Sequence, residues 1–241
     1  DHGHSMAIVL IDPTVNVAGS RTMVAAMKTL GVELMYTEVP GGNHSNVVEP
    51  NLPAMFDFFD AHKRAVKQAK DYQVGRIRTD LGEILFVLSD ETPRHKESFM
   101  KLAASHYWDS LTFNRVIKDF VAQGGCPDTP QGFAGSPYLL APEFNDALKH
   151  VYGAVGAGRD NNPGKVSAGC QFYIVANKTG LARLDNNYTV FGRVVKGMDI
   201  VEAIVSVPKD STDTPRTPIK LHIDVITMTA EQLKGYGFGA K

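Results

Sequence analysis

The hydrophobic pattern divides this chain in two. Over the first seventy residues short apolar runs alternate with helical spacing. Ala7–Ile11 is an apolar run of strand type, ended by Asp12-Pro13. Met23, Ala26, Met27 and Leu30 recur at helical spacing within residues 19–30, and Gly31 stands where a helix stop belongs. Val32–Val39 predicts a second strand, closed by the turn Pro40-Gly41-Gly42-Asn43. Asn51–Lys67 predicts an amphipathic helix with Pro53 near its start and Met55, Phe58, Phe59, His62 and Val66 on one side. Strand–helix–strand–helix is the order of a small parallel α/β segment.

From Tyr72 onward short strands dominate. Tyr72–Thr79 and Glu83–Leu88 flank Asp80-Leu81-Gly82 as a hairpin. Thr92-Pro93 opens a helix whose buried stripe is Phe99, Leu102 and Ala103. Gln171–Val175 and the run through Val190-Phe191 predict further strands, Met198–Val205 a second helix, and Lys220–Met228 a strand with Leu221, Ile223 and Val225 on one face. Many short strands, Gly/Pro turns and two helices predict a mainly β domain, a closed barrel capped by those helices. Residues 65–71 carry Lys67 and Lys70 and little apolar content, which marks a linker. The expected division is 1–69, 70–230 and a glycine-rich mobile tail over 231–241.

Composition narrows the functional classes. The 241 residues are 43% hydrophobic and 21% charged with a formal net charge of −1. That balance leaves no electrostatic footprint for nucleic acid or an anionic membrane. No apolar run approaches the ~20 residues of a membrane helix, so no membrane insertion is expected. No basic region followed by an apolar stretch opens the chain, so no signal peptide is read, and the compartment stays open. The histidines show no metal-binding spacing, so neither metal nor cofactor is expected. Cys126 and Cys170 are too few for a disulfide framework and are read first as free, buried or half-buried thiols, a disulfide between them depending on geometry that a sequence does not carry.

The candidate chemistry centres on Phe113–Gly125, which places Arg115 and Gln123 in an otherwise apolar run before a Gly-Gly pair. Taken alone, an arginine in a strand is most often a solvated side chain. Two strand segments, Phe113–Val116 and Phe120–Gln123, would let Arg115 and Gln123 face one groove with Phe120 and Val121 as walls. Two further blocks follow in order: Gly169-Cys170-Gln171-Phe172-Tyr173-Ile174, then Leu184-Asp185 with Tyr188-Thr189-Val190-Phe191-Gly192-Arg193. Together the three resemble the cyclophilins, peptidyl-prolyl cis–trans isomerases, over roughly residues 72–229. The resemblance implies an eight-stranded closed antiparallel barrel that binds proline-containing peptides or unfolded proteins and needs no cofactor. It implies Arg115, Phe120 and Gln123 as catalytic residues, and Val121, Gln171, Tyr173, Leu184, Tyr188 and Gly158 as substrate-binding ones. Asn114 replaces a usual histidine, and Arg183 replaces an aromatic important for cyclosporin, which implies weak cyclosporin binding. Residues 160–168 contain extra residues against the family pattern. A proline-binding module with little turnover is the alternative within this fold.

The first segment resembles the C-terminal end of an α/β-hydrolase, on Asp12-Pro13-Thr14-Val15, Gly31–Tyr36 and Pro40–His44. In that family an acid and a histidine at these places complete a Ser–His–Asp triad, which makes Asp12 and His44 candidates for a vestigial pair and a serine hydrolase or esterase the second alternative function. Gly3-His4-Ser5-Met6-Ala7 is similar to a nucleophile elbow but lacks the strand and helix that motif requires. A two-stranded unit is marginal alone, so the segment is expected to dock on the barrel or on another chain.

Overall fold

The computed structural model describes residues 9–11, 17–31, 34–38, 44–61 and 70–239. The chain divides into two compact units, residues 1–68 and 69–241. In the first, β1 (Val9–Ile11) pairs in parallel with β2 (Tyr36–Glu38), with α1 (Val17–Thr29) between them and α2 (His44–Ala61) after. The α1 face differs from the one its spacing predicts: Val24 is buried, whereas Met23 is 42% and Leu30 79% exposed. Helix α2 starts seven residues before Asn51, so Pro53, expected near its start, lies inside it with Pro50. Asp12, the Gly3–Ala7 stretch and the side chain of His44 lie outside the described residues.

The second unit is built on β3 (Asp71–Thr79), β4 (Gly82–Leu88), α3 (Pro93–Ala104), β5 (Thr112–Ile117), β6 (Val121–Gly125), β7 (Leu139–Leu140), β8 (Ala154–Ala157), β9 (Ser167–Ala168), β10 (Gln171–Val175), β11 (Val190–Lys196), α4 (Met198–Val205), β12 (Ile219–Lys220), β13 (His222–Thr229) and α5 (Ala230–Lys234). One curled antiparallel sheet runs β12-β5-β6-β10-β8-β11-β4-β3-β13. The sheet has nine strands and its ladder is open, which corrects the eight-stranded closed barrel. The reason lies at Leu221. There the chain leaves β5 and joins β3, with the Leu221 amide donating to the Leu111 carbonyl at 2.9 Å. One alternating run in the sequence thereby becomes the two end strands, which touch through the chain and not through a ladder.

Burial explains why β6 and β10 read as apolar runs interrupted only by Gln123 and Gln171. Every residue of both is buried, because each face of the sheet is covered. On the inner face Phe86, Phe99, Trp108, Phe113, Phe172 and Phe191 pack largely edge to face, with centroids 4.8–6.3 Å apart. Helix α3 contributes Phe99, Leu102 and Ala103 as expected, and also His95. A smaller outer cluster gathers Val121, Ala154, Tyr173, Val175, Leu181, Leu184 and Val190.

Thr92 precedes α3 as expected, but its hydroxyl makes no cap bond. The Glu143 carboxylate takes that role, accepting from the Arg94 amide at 3.1 Å and the His95 amide at 3.0 Å. Residues 231–239 are no loose tail. Thr229 and Gln232 form a capping box, Leu233 is wholly buried in a cluster with Val74, Leu85 and Val87, and Phe238 meets Tyr72 edge-on at 5.2 Å.

The cysteines are joined, not free. Cys126 and Cys170 form a disulfide with Cα atoms 5.5 Å apart. The ladder dictates this: β6 and β10 pair Gly125 with Gln171, so the residues just beyond them meet. Gly125 is required here, since its φ is +95° and a Cβ would run into the Cys170 carbonyl. Denatured without reductant, the chain is expected to show no reactive thiol among its two cysteines. Cys126→Ser/Cys170→Ser is expected to lose about 2–4 kcal/mol in urea unfolding; two titratable thiols in the oxidised protein would overturn the assignment.

Candidate active site

The groove begins with an irregularity in the β5–β6 ladder. Phe113 pairs with Gly124 and Arg115 with Gln123, so β5 advances two residues while β6 advances one. Asn114 is the extra residue of a β-bulge, and its Nδ2 donates to the Gly125 carbonyl at 2.9 Å. In a regular strand Phe113 and Arg115 would share a face. The bulge separates them: Phe113 enters the inner core at 1% exposure, and Arg115 turns to the outer face.

Gln123 in turn pairs with Tyr173 across β10, so Arg115, Gln123 and Tyr173 form one cross-sheet row. Val121 and Gln171 lie two residues away on the same faces of their strands. Phe120 stands in the turn before β6, its amide bonded to the Ile117 carbonyl, and not in the strand that the sequence predicts. Leu184 closes the opposite wall from a short turn, Ala182–Leu184. Arg115, Phe120, Val121, Gln123, Gly158, Gln171, Tyr173, Leu184 and Tyr188, every residue expected at the barrel site, line one hollow of about 340 Å³. A separate hollow of about 420 Å³, lined by Tyr72, Leu88, Leu148, Val190 and Phe238 among others, lies away from these residues.

The hydrogen bonds order the polar edge. Arg115 Nη1 approaches Gln123 Oε1 at 3.5 Å, and its guanidinium lies 5.8 Å from the Phe120 ring centroid. Gln171 Nε2 donates to the Cys126 carbonyl and to Asp128 Oδ1, both at 2.9 Å. Gly158 leaves room for this amide, since a Cβ there would strike it. Asp128, Arg159 and Arg183 complete the lining. Asp128 was not foreseen; its only trace in the sequence is a polar residue in the Gly/Pro-rich loop after the Gly-Gly pair.

Behind the apolar wall sits a buried relay. Tyr173 Oη lies 2.8 Å from His150 Nε2, and His150 Nδ1 lies 2.7 Å from Asp185 Oδ1. Asp185 also accepts from the His150 amide at 2.9 Å. Burial holds His150 below its usual pKa despite the Asp185 carboxylate, and burial pushes the Tyr173 phenol well up. Burial opposes ionisation of Asp185 too, but bonds from His150 hold its carboxyl low. The second pair, His95 and Glu143 at 2.7 Å, repeats this pattern beneath α3.

Residues 74–225 match the family model of the cyclophilin type peptidyl-prolyl cis–trans isomerases. A peptidyl-prolyl cis–trans isomerase-like 1 of Neurospora crassa is 36% identical over 148 residues, which cover 60% of this chain and 88% of that protein. A peptidyl-prolyl cis–trans isomerase-like 2 of Rhizopus delemar is 33% identical over 181 residues, or 73% of this chain, and the chain spans only about a third (33%) of that protein's length. The crystal structure of a cyclophilin type isomerase of Cryptosporidium parvum superposes with a TM-score of 0.55 at 26% identity, covering 66% of this chain and 98% of that one.

The two buried pairs set a pH dependence. A histidine kept neutral in the fold takes up its proton only on unfolding, so stability falls as pH drops through the ordinary value of 6.5. The low carboxyls of Glu143 and Asp185 add a further loss in the acid range, below their ordinary values of 4.5 and 3.8. Urea unfolding at about pH 5.5 is expected to give up to about 1 kcal/mol less stability per histidine than at pH 7.5. Equal stability at the two pH values would contradict neutral burial.

Proposed function

Because this chain belongs to the cyclophilin-type peptidyl-prolyl cis–trans isomerases, we propose that the outer-face groove is where it rotates X-Pro bonds, with Arg115 as the principal catalytic group. Resonance keeps the peptide C–N bond planar behind a barrier of about 18–20 kcal/mol. Rotation breaks no covalent bond, so the site has to bind the twisted state more tightly than either planar one. In the twisted state the proline nitrogen loses conjugation and holds a localised lone pair. A guanidinium N–H of Arg115 donates to that lone pair, in a site partly shielded from water where such bonds count most.

Val121, Tyr173, Leu184 and the Phe120 ring hold the pyrrolidine, while Gln123 grips the neighbouring backbone so that rotation occurs about one bond. Gln171 and Gly158 guide the chain beyond, and Tyr188 closes the side where Arg159 covers its ring at 4.5 Å. The observation that carries this reading is the row Arg115–Gln123–Tyr173 beside an apolar wall. A Cryptosporidium parvum relative crystallised in the presence of the dipeptide Ala-Pro supports proline as the recognised group. A pure binding module would not require a guanidinium at the rotating bond.

For residues 1–69 we propose an α/β-hydrolase-like fragment, supported by the parallel β1–β2 pair with a helix after each strand. Its expected ester turnover is background. Turnover blocked by a serine-reactive phosphonate would instead make Asp12 and His44 part of a working triad.

The isomerase roles are tested with a cis-to-trans assay on an Ala-Pro-Phe reporter peptide. Arg115→Ala is expected to lower kcat/KM at least about tenfold with an unchanged circular dichroism spectrum. Arg115→Lys is expected to restore little, because an ammonium lacks the planar fork. Near-wild-type rates in Arg115→Ala would remove the arginine from the mechanism.

A further inference from the structure

We propose that this groove selects proline sites flanked by an anionic side chain, a carboxylate or a phosphorylated hydroxyl, and that Arg183 is the residue that sets this preference. The inference rests on the isomerase reading of the same groove and names its substrate class.

Charge in the lining is lopsided. Arg115, Arg159 and Arg183 face a single carboxylate there, Asp128, on a chain whose formal net charge is −1. Asp128 is bonded to Gln171, at the polar edge of the groove. The arginines near the opposite wall are not neutralised in the way others on this protein are. Arg76 and Arg78 both pair with Asp224, whereas among the described residues none of the three groove arginines forms an ion pair.

Arg159 is committed locally. Its Nε donates to the Asn187 carbonyl at 2.9 Å and its Nη1 to the Asp160 carbonyl at 2.8 Å. The Asp160 carboxylate nearby is itself occupied by the Phe133 amide and by Asn162. Arg183 is different: it is exposed, and among the described residues its guanidinium has no hydrogen-bond partner. It lies 4.9 Å from the Phe120 centroid, the same ring that Arg115 approaches at 5.8 Å. Two like charges held against one ring repel each other, and both gain from an anion brought between them. A cation–π contact uses the face of the ring and spends none of the guanidinium's N–H donors, which stay free for a bidentate carboxylate or phosphate.

The backbone of Arg183 is also held before substrate arrives. It rides the Ala182–Leu184 turn, whose Leu184 is a pocket wall, and the next residue, Asp185, is anchored on His150. An anion that meets Arg183 is therefore held beside the proline, with the arginine side chain and not the chain itself left to order.

The test uses the intact chain and labelled peptides with Glu, phosphoserine, Gln or Lys immediately before the proline, and a second set with the same residues immediately after it. Kd by fluorescence polarisation and kcat/KM for isomerisation are read at low salt and at about 0.5 M salt. Glu and phosphoserine are expected to bind better than Gln, with Lys weakest, in at least one set. The Glu-to-Lys ratio is expected to be about fivefold at low salt, to shrink at high salt, to approach one in Arg183→Gln and to invert in Arg183→Glu. A ratio of one in both sets, or one that Arg183→Glu leaves unmoved, overturns the proposal. The Gln peptides separate the two readings. A chain that prefers Glu but accelerates no peptide keeps the selection and loses the catalytic roles; one that accelerates all peptides alike keeps the roles and loses the selection.

Discussion

The bulge at Asn114 is the constraint on which the site depends. Strand alternation offers β5 two faces and no third option. The inner core needs Phe113, which meets the Phe172 ring at 5.9 Å, and the groove needs Arg115, two residues later. A regular strand would expel the phenylalanine or bury the arginine. Burying an unpaired guanidinium is far the costlier error. One inserted residue resolves the conflict, and the Asn114 bond to the Gly125 carbonyl gives the displaced backbone a partner. Once Arg115 is turned outward, register alone brings Gln123 and Tyr173 beside it.

The groove is thus a second, smaller core built on the outer face of a sheet whose main core lies inside. Its apolar wall belongs to a cluster of its own, separate from the phenylalanine-rich interior. Among the buried members of that cluster Tyr173 alone carries a side-chain polar group, a hydroxyl that would be costly to leave unpaired. His150 meets it, Asp185 fixes the far side of the histidine, and Asp185 adjoins Leu184 in the chain. The relay therefore ties the floor of the pocket to its opposite wall through two buried rings and a half-buried carboxylate, and keeps the charge of that carboxylate out of the apolar space. An arginine acting on a weak acceptor such as a twisted amide nitrogen gains from an apolar wall of this kind.

Much of this was legible in the sequence, for identifiable reasons. Alternation within Phe113–Gly125 made Arg115 and Gln123 candidates for one groove, and the resemblance of this stretch, Gly169–Ile174 and Leu184–Arg193 to the cyclophilins brought the other groove residues beside them. Helix α3 was legible from Thr92-Pro93 and its apolar stripe. What escaped was non-local. The bulge depends on how β6 pairs with β5. The cap of α3 comes from Glu143, 49 residues beyond Arg94. The strand break at Leu221 is a change of partner and leaves the alternation of residues 220–228 intact. The disulfide follows from register between β6 and β10, and two cysteines in a sequence carry no register. In the first unit Met23 and Leu30 repeat at helical spacing yet stay exposed, because periodicity describes a stripe and not what covers it.

These origins give the two edges of the groove different sources of rigidity. The catalytic edge, Arg115 and Gln123, is held by ladder hydrogen bonds and by the core packing of Phe113 and Phe172. The polar edge is held by a crosslink: Gln171 bonds to the carbonyl of Cys126, whose sulfur is joined to the residue preceding Gln171 itself. Trp108 braces the same point from the inner core, its Nε1 donating to the Cys170 carbonyl at 3.0 Å. Opening the disulfide would therefore loosen the loop that carries the Cys126 carbonyl and Asp128, the partners of the Gln171 amide, while the ladder kept the backbones of Gln171 and Arg115 in register. Loss at that edge would weaken the grip on the substrate chain before it touched the group that acts on the rotating bond. Binding and catalysis are in this sense mechanically separable, although their side chains share one hollow.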